Sequence, residues 1–328
     1  MKARFRQMMN ILLSWGCLLV LVPACSLAQE FPSRPVTINV GYGPGDNVDL
    51  QVRMLANRAQ KILGQPVVVV NKPGAAGAVA LTILAKEKPD GYQLGAVVDT
   101  PLDRLPLLRK LSYKAEDFVP VLQYASSSTG VVVKSSTPWR TLPDLIRHAR
   151  ENPGKVTYAT TGAGTSMHVA FEYIAQQAEI QWTHVPYGGA KQGVAAVVAG
   201  HITAAVGSTQ WAPEVREGSL RLLATLGEKR MKAFPDVPTI RELGYEFGSD
   251  AINLLVAPRG TPPPVLKRLH DAFRQAMDDP DYAQLLRNLY VEVSYRDGEE
   301  VKKYLAEVRR GFAKVIADLR IPTEFDGK

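Results

Sequence analysis

Cysteine is nearly missing from this chain of 328 residues, and the only two, Cys17 and Cys25, stand ahead of residue 28. Everything after that point therefore lacks a thiol nucleophile, a thiolate metal ligand and a disulfide, and packing alone must hold it together. Histidine is sparse as well: His148, His168, His184, His201 and His270 show no metal-ligand spacing, and His-Glu-x-x-His is absent. The nucleophile-elbow run Gly-x-Ser-x-Gly and the phosphate-binding run Gly-x-x-x-x-Gly-Lys are absent too, which removes the usual hydrolase and P-loop readings. Long apolar runs are also lacking. The longest late stretch without Asp, Glu, Lys or Arg, Gln192 to Pro213, is broken by Gly200-His201 and by Gly207-Ser208, so it reads as helix, turn and strand. The formal charge is +7, of which Lys2, Arg4 and Arg6 supply three. The remaining excess of about +4 is scattered, with no aromatic-interleaved basic stripe, which argues against nucleic acid as a partner.

What is present begins with an export signal. Lys2, Arg4 and Arg6 form a charged start, Ile11 to Val22 a short apolar run, and Ser26-Leu27-Ala28 a small-residue cleavage site, so residues 1–28 are expected to be removed and the mature chain to work outside the cytoplasm. The apolar run is well short of the roughly 20 residues that span a bilayer. A rival is lipid anchoring through Cys25, since Val22-Pro23-Ala24-Cys25 loosely resembles a lipoprotein cleavage box. Pro23 fits that box poorly, and Ala28 offers an ordinary site. About 300 mature residues are enough for two domains.

From Phe31 onward, short β-branched runs alternate with amphipathic stretches, the pattern of βα units and mostly parallel sheets. A helix is predicted from Asn47 or Val48, with Leu50, Met54, Leu55, Ala59 and Leu63 on its buried face and Gly64 at its end. Val67–Val70 reads as a strand, Asn71 to Gly77 as a turn before a small-residue helix, and Tyr92–Ala96 as a third strand. Phe118–Val133 reads as a crossover into a second unit of the same kind, which starts with a helix capped by Thr141 and runs through strands near Val156, Trp182, Ile202 and Leu220. After Gly248 a buried strand, Leu254–Ala257, leads to a proline-opened helix, a short helix, a strand and a final amphipathic helix, Val301–Leu319. Returning this tail to the first unit gives two lobes, residues 29–126 plus 253–328 and residues 127–252, with hinge strands near Tyr124 and Asn253.

Two loops carry the chemistry. Gly41-Tyr42-Gly43-Pro44-Gly45-Asp46-Asn47 joins a strand to a helix, where free backbone N–H groups and the positive helix end favour a carboxylate by roughly 1–2 kcal/mol at a partly buried site. It comes near the dinucleotide fingerprint, but Asp46 occupies the third glycine position and Pro44 stiffens the turn. Taken alone it is equally a tight turn capped by Asp46 or Asn47. Thr161-Gly162-Ala163-Gly164-Thr165-Ser166-Met167-His168 repeats the logic with hydroxyls added. Tyr187, in Pro186-Tyr187-Gly188-Gly189, either offers its phenol to a ligand or packs beneath it, and His168 is equally a capping or core residue. Such loop ends are expected to converge along one sheet edge, where open α/β folds bind ligands.

Phe31-Pro32-Ser33-Arg34-Pro35, Gly64-Gln65-Pro66-Val67-Val68-Val69, Asn71-Lys72-Pro73-Gly74-Ala75-Ala76-Gly77, Pro89-Asp90-Gly91-Tyr92, Gly162-x-Gly164-Thr165-x-x-His168, His184-Val185-Pro186-Tyr187-x-Gly189 and Phe234-Pro235-Asp236-Val237-Pro238-Thr239 together resemble the tripartite tricarboxylate transporter receptor, or Bug, family of periplasmic solute-binding proteins. The resemblance implies an α/β, two-lobed periplasmic binding protein of the type II, Venus flytrap kind. It further implies a monomer that uses no cofactor, catalyses nothing, closes on a small organic acid or amino-acid-like ligand and hands it to membrane permease subunits. By that likeness Tyr42, Gly43, Pro44, Gly45, Asp46, Asn47, Thr161, Gly162, Gly164, Thr165, Ser166, His168, Tyr187, Gly207 and Ser208 line the cleft. Asp99 and Thr100, after the third strand, join them. Two positions depart from the family pattern: Asp46 replaces a second glycine, and Gly207 stands where many members have Asp. Asp46 beside a bound carboxylate costs energy unless it turns away or meets a cation, so a ligand less acidic than citrate is expected. The rival readings are a ligand sensor acting on a signalling receptor, and an exported enzyme using Asp46, Asp99 or His168.

Overall fold

The computed structural model describes residues 31–162, 165–246, 248 and 250–319. The export signal, Cys25 and Gly164 lie outside the described residues. Strand β1 (Val36–Val40) runs through a turn into helix α1 (Asn47–Leu63), followed by β2 (Val67–Asn71), α2 (Ala78–Leu84), β3 (Gln93–Val98) and β4 (Phe118–Ser127). The chain then builds β5 (Gly130–Lys134), α3 (Leu142–Glu151), β6 (Thr157–Thr160), α4 (Ser166–Gln177), β7 (Thr183–Pro186), α5 (Ala190–Ala199), β8 (Ala204–Gly207) and β9 (Leu220–Thr225). It finishes with β10 (Ala251–Pro258), α6 (Pro263–Ala276), α7 (Pro280–Asn288), β11 (Glu292–Asp297) and α8 (Gly298–Leu319).

These strands form two sheets, ordered β11-β4-β10-β3-β1-β2 and β7-β6-β8-β5-β9. In the first, β1 pairs in parallel with β2 and β3, as βα crossovers require, while β10 is antiparallel to both β3 and β4. In the second, β6 is parallel to β7 and β8, and β5 is antiparallel to β8 and β9. Each sheet has its own apolar core, the first around Ile38, Val52, Leu94 and Phe273, the second around Val131, Tyr158, Phe171 and Leu223. Phe171 and Trp182 stack in the second core at 3.9 Å with ring planes 7° apart. Among the described residues no helix is long and apolar enough to cross a membrane.

The two lobes are linked three times. Ser128-Thr129 joins β4 to β5, and the segment after β9 returns to β10. The third link is α8. Val301 and Tyr304 near its start pack with Ile252 and Leu254 of the first lobe, whereas Phe312, Val315 and Ile316 near its end lie in the second core with Phe171 and Ile174. The predicted tail helix thus serves both lobes, because its apolar stripe continues past the point where the first lobe ends.

Helix α1 shows a second difference from expectation. Its buried face carries Val48, Asp49, Gln51, Val52, Leu55, Ala56, Ala59 and Leu63, and Leu50 is exposed. The apolar period places Leu50 inside, but two polar side chains with specific partners, Asp49 and Gln51, turn the helix by a fraction of a turn near its start.

Candidate functional site

The facing edges of the lobes enclose a cavity of about 410 Å³. The first lobe contributes the β1–α1 turn, the Pro73–Ala76 turn, Val98, Thr100 and the hinge residues Ser127, Ala251 and Asn253; the second contributes Thr161, Thr165–Met167, Gly188–Ala190, Ser208 and Gln210. A second hollow of about 500 Å³ is bounded only by the first lobe and α8, among apolar side chains such as Leu102, Phe118, Val256 and Leu305. It has no opposing lobe to close on it, so the cavity between the lobes is the candidate site.

Local sequence explains the polar groups on that cavity's wall. Three helices of ten or more residues, α1, α4 and α5, begin at its wall, one from the first lobe and two from the second. Each start leaves backbone N–H groups without helical partners and carries a partial positive charge. The three caps differ. At α1 the Asp46 carboxylate accepts from Val48 N at 3.1 Å, at α4 the Thr165 hydroxyl accepts from His168 N at 3.4 Å, and at α5 the cap is Gly189, with no side-chain cap bond. The first lobe's helix start is therefore already answered by an anion of the protein, while those of the second lobe are answered by a neutral hydroxyl or by nothing. Burial raises the Asp46 pKa from its ordinary value, and the Val48 N–H and the Lys191 charge, in the first turn of α5, act against that rise. The cleft is polarised: its first-lobe wall carries Asp46 and its second-lobe wall the positive ends of α4 and α5.

The β1–α1 turn is fixed from below by a residue that sequence reading passed over. The Asp49 carboxylate accepts from Gly45 N at 2.9 Å, from Arg53 Nε at 3.0 Å and from Asn71 Nδ2 at 2.7 Å, and Asn71 Nδ2 also donates to the Tyr42 carbonyl at 3.0 Å. Burial works to raise the Asp49 pKa, but the Arg53 and Asn71 bonds together hold it below the usual value, so it stays ionised. The Tyr42 hydroxyl accepts from Val98 N at 3.2 Å and donates to the Ala76 carbonyl at 3.3 Å, and burial pushes its pKa up. Gly41 sits where the turn meets the Gly77 backbone: a Cβ there would lie 2.7 Å from Gly77 Cα. Gly41→Ala is expected to destabilise the fold by about 1–3 kcal/mol, because backbone cannot yield as a side-chain tip can. A lowered urea midpoint with an unchanged slope is the check.

The lobes also touch beside the cavity. Asn47 Nδ2 donates across it to Thr209 Oγ1 at 3.3 Å, and Thr209 Oγ1 donates to the Leu289 carbonyl of the first lobe at 2.8 Å. Phe234 and Tyr290 meet at a centroid distance of 5.9 Å along the same seam.

Among the sequence-predicted positions, Tyr42, Gly43, Asp46, Asn47, Thr100, Thr161, Thr165, Ser166 and Ser208 line the cavity. Others do not. Pro44 and Gly45 face solvent at the outer corner of their turn, where Gly45 takes a φ of +77°. Asp99 is a correction: it is fully buried, ion-paired to Arg104 at 2.9 Å and absent from the cavity wall, although its charge is still felt by the Tyr42 hydroxyl there. His168 turns inward instead, its ring 4.2 Å from that of His184, and burial lowers both pKa values, His184 to about 4. Tyr187 packs against the second lobe's apolar cluster around Val194 and Trp211, leaving Gly188 and Gly189 at the surface of the cavity. Gly162 accepts from Thr160 Oγ1 and Thr165 Oγ1 through its carbonyl and holds the loop from behind. Gly207 ends β8 opposite Gly130 and is buried. Sequence reading also missed Gln51, Asn253 and Gln210; the first two carry no motif, and only the fold brings them together. Among the described residues no group of three or more His, Cys, Asp or Glu is placed to hold a metal ion.

Two α/β lobes with a cavity between them are the two-lobed architecture of periplasmic binding proteins, shared with a solved structure described as a periplasmic transporter, 30% identical, with a TM-score of 0.80 over 89% of this chain and 99% of that one. Residues 51–321 match the tripartite tricarboxylate transporter family receptor, and the chain belongs to that family. It is 39% identical over 302 residues to the Cupriavidus necator UPF0065 protein in the gbd 5' region, covering 92% of each chain. It is also similar to the structure of MatC from Rhodopseudomonas palustris with bound malate, 27% identical, with a TM-score of 0.77 over 87% of this chain and 100% of that one.

Proposed function

We propose that this chain is a periplasmic receptor that captures one small organic acid between its lobes and presents the closed complex to a membrane permease, without catalysing a reaction. The observation that carries this reading is the convergence of three helix starts from two lobes on one cavity of about 410 Å³. Helix starts of this kind hold anions, and a ligand touching both walls favours closure by its differential affinity for the closed form. A micromolar complex needs about 8 kcal/mol in total. The malate bound by the MatC neighbour supports a carboxylate ligand.

The polarity of the walls refines the ligand. Its carboxylate faces α4 and α5 of the second lobe, and the group facing Asp46 is a cation, a hydrogen-bond donor or neutral, as in an amino acid or a monocarboxylate. Residues 29–126 with 253–328 and residues 127–252 are the units that close, with the end of α8 carried on the second. Export follows from the signal in residues 1–28, which the mature protein lacks. Native mass spectrometry of mature protein purified without refolding tests the reading. The expected result is one small organic acid retained per chain and released unchanged on denaturation; a bare chain that also binds no carboxylate in calorimetry contradicts it.

A further inference from the structure

The floor of the cleft holds a polar group without a partner. Gln51 is 0% exposed, lines the cavity and accepts from Asn253 Nδ2 at 2.8 Å through its Oε1. Its Nε2 is buried and donates to no group of the protein. Asn253, at 3% exposure, lines the same floor. A buried amide N–H left without an acceptor destabilises the fold, and nothing in the apolar face of α1 asks for a glutamine at this position: Leu50, one residue earlier, is exposed in its stead. Gln51 therefore brings a buried, unpaired amide N–H to the floor of the solute cavity, its Oε1 held by a hinge-strand side chain 202 residues away in sequence.

We propose that Gln51 is a specificity-determining residue, its Nε2 donating to an oxygen that the ligand carries in addition to the carboxylate held by the second lobe. The bound acid then has two functions. Its carboxylate meets the α4 and α5 starts, and a carbonyl, hydroxyl or amide oxygen reaches the floor at Gln51. Sites that hydrogen-bond a ligand group discriminate sharply against analogues without it, because the protein group is then left unpaired. Asn253 holds the Gln51 amide in place from behind and is a positioning residue. The inference rests on the reading of the cleft as the solute site.

The test is calorimetry of the mature chain with matched probes: levulinate against pentanoate, malate against succinate, and L-glutamine against L-norleucine. In each pair that binds, the member with the added oxygen is expected to bind about tenfold or more tightly to the wild type. Gln51→Leu is expected to reduce that preference to within about twofold. Gln51→Met, unbranched like glutamine and without an amide donor, repeats the measurement if the Leu variant melts early. Its expected result is the same loss of preference. An oxygen preference that survives both substitutions, or no preference in the wild type, overturns the role of Gln51 and leaves the solute reading standing. No binding of any of the six probes to the wild type overturns both.

Discussion

Arg104→Met is expected to lower the unfolding free energy by about 3–5 kcal/mol at neutral pH, the usual result of removing one partner from a buried ionic cluster. The Arg104 side chain is 2% exposed, with Asp99 at 2.9 Å and Asp103 at 3.5 Å, both carboxylates fully buried. Its guanidinium also lies 4.5 Å above the Phe312 ring, where α8 enters the second core. The substitution keeps most of the volume but leaves two carboxylates in a dry site. Burial already raises both Asp pKa values against the pull of Arg104, and without it they rise further. A carboxylate whose folded pKa is raised loses stability as pH climbs from the unfolded value through the folded one. The deficit is therefore largest at neutral pH and shrinks as pH falls toward the ordinary carboxylate range, where the variant's Asp99 and Asp103 bind protons. Urea unfolding of both proteins at pH 7 and near pH 4.5 checks this, and a pH-independent deficit contradicts it.

The second large effect concerns selectivity. Asp46→Asn keeps a competent N-cap, since Asn caps helices about as well as Asp, but removes the negative charge from the first-lobe wall. Affinity for a dicarboxylate such as succinate is expected to rise about tenfold, equivalent to ~1.4 kcal/mol. Affinity for a zwitterionic amino acid is expected to fall. In the wild type, lowering the pH toward the raised Asp46 pKa neutralises the same charge, so the gap between wild type and variant closes as pH falls. Comparing the two proteins at each pH cancels the ligand's own titration. A succinate affinity equal in both proteins at neutral pH means that Asp46 does not face the ligand.

The parts of the fold that sequence reading located are those settled within a few residues. Thr141 and Asp46 cap the helices they precede, Gly64 ends α1 in the left-handed conformation, and the β-branched runs are strands. These depend on local hydrogen bonds and backbone freedom, which leave a local signature. Asp99 was misplaced because a residue just past a strand end normally faces the cleft, and its direction here is set by Arg104 and the distant α8. The floor of the cleft was invisible for the same reason. Gln51 looks like a surface residue of an amphipathic helix until β10 brings Asn253 against it, and Asp49 looks like a simple first-turn acid until Asn71 and Arg53 close on it. Where long-range partners decide the burial of a polar side chain, periodicity gives the wrong face.

Small-angle scattering of the mature chain tests the main claim most directly, comparing protein stripped of solute by unfolding and refolding with the same protein saturated by the acid that native mass spectrometry identifies. A solute gripped between the lobes makes the particle more compact, and it is recovered chemically unchanged. Identical scattering curves with the solute demonstrably bound would contradict the account, since a ligand held on one lobe alone has nothing to close.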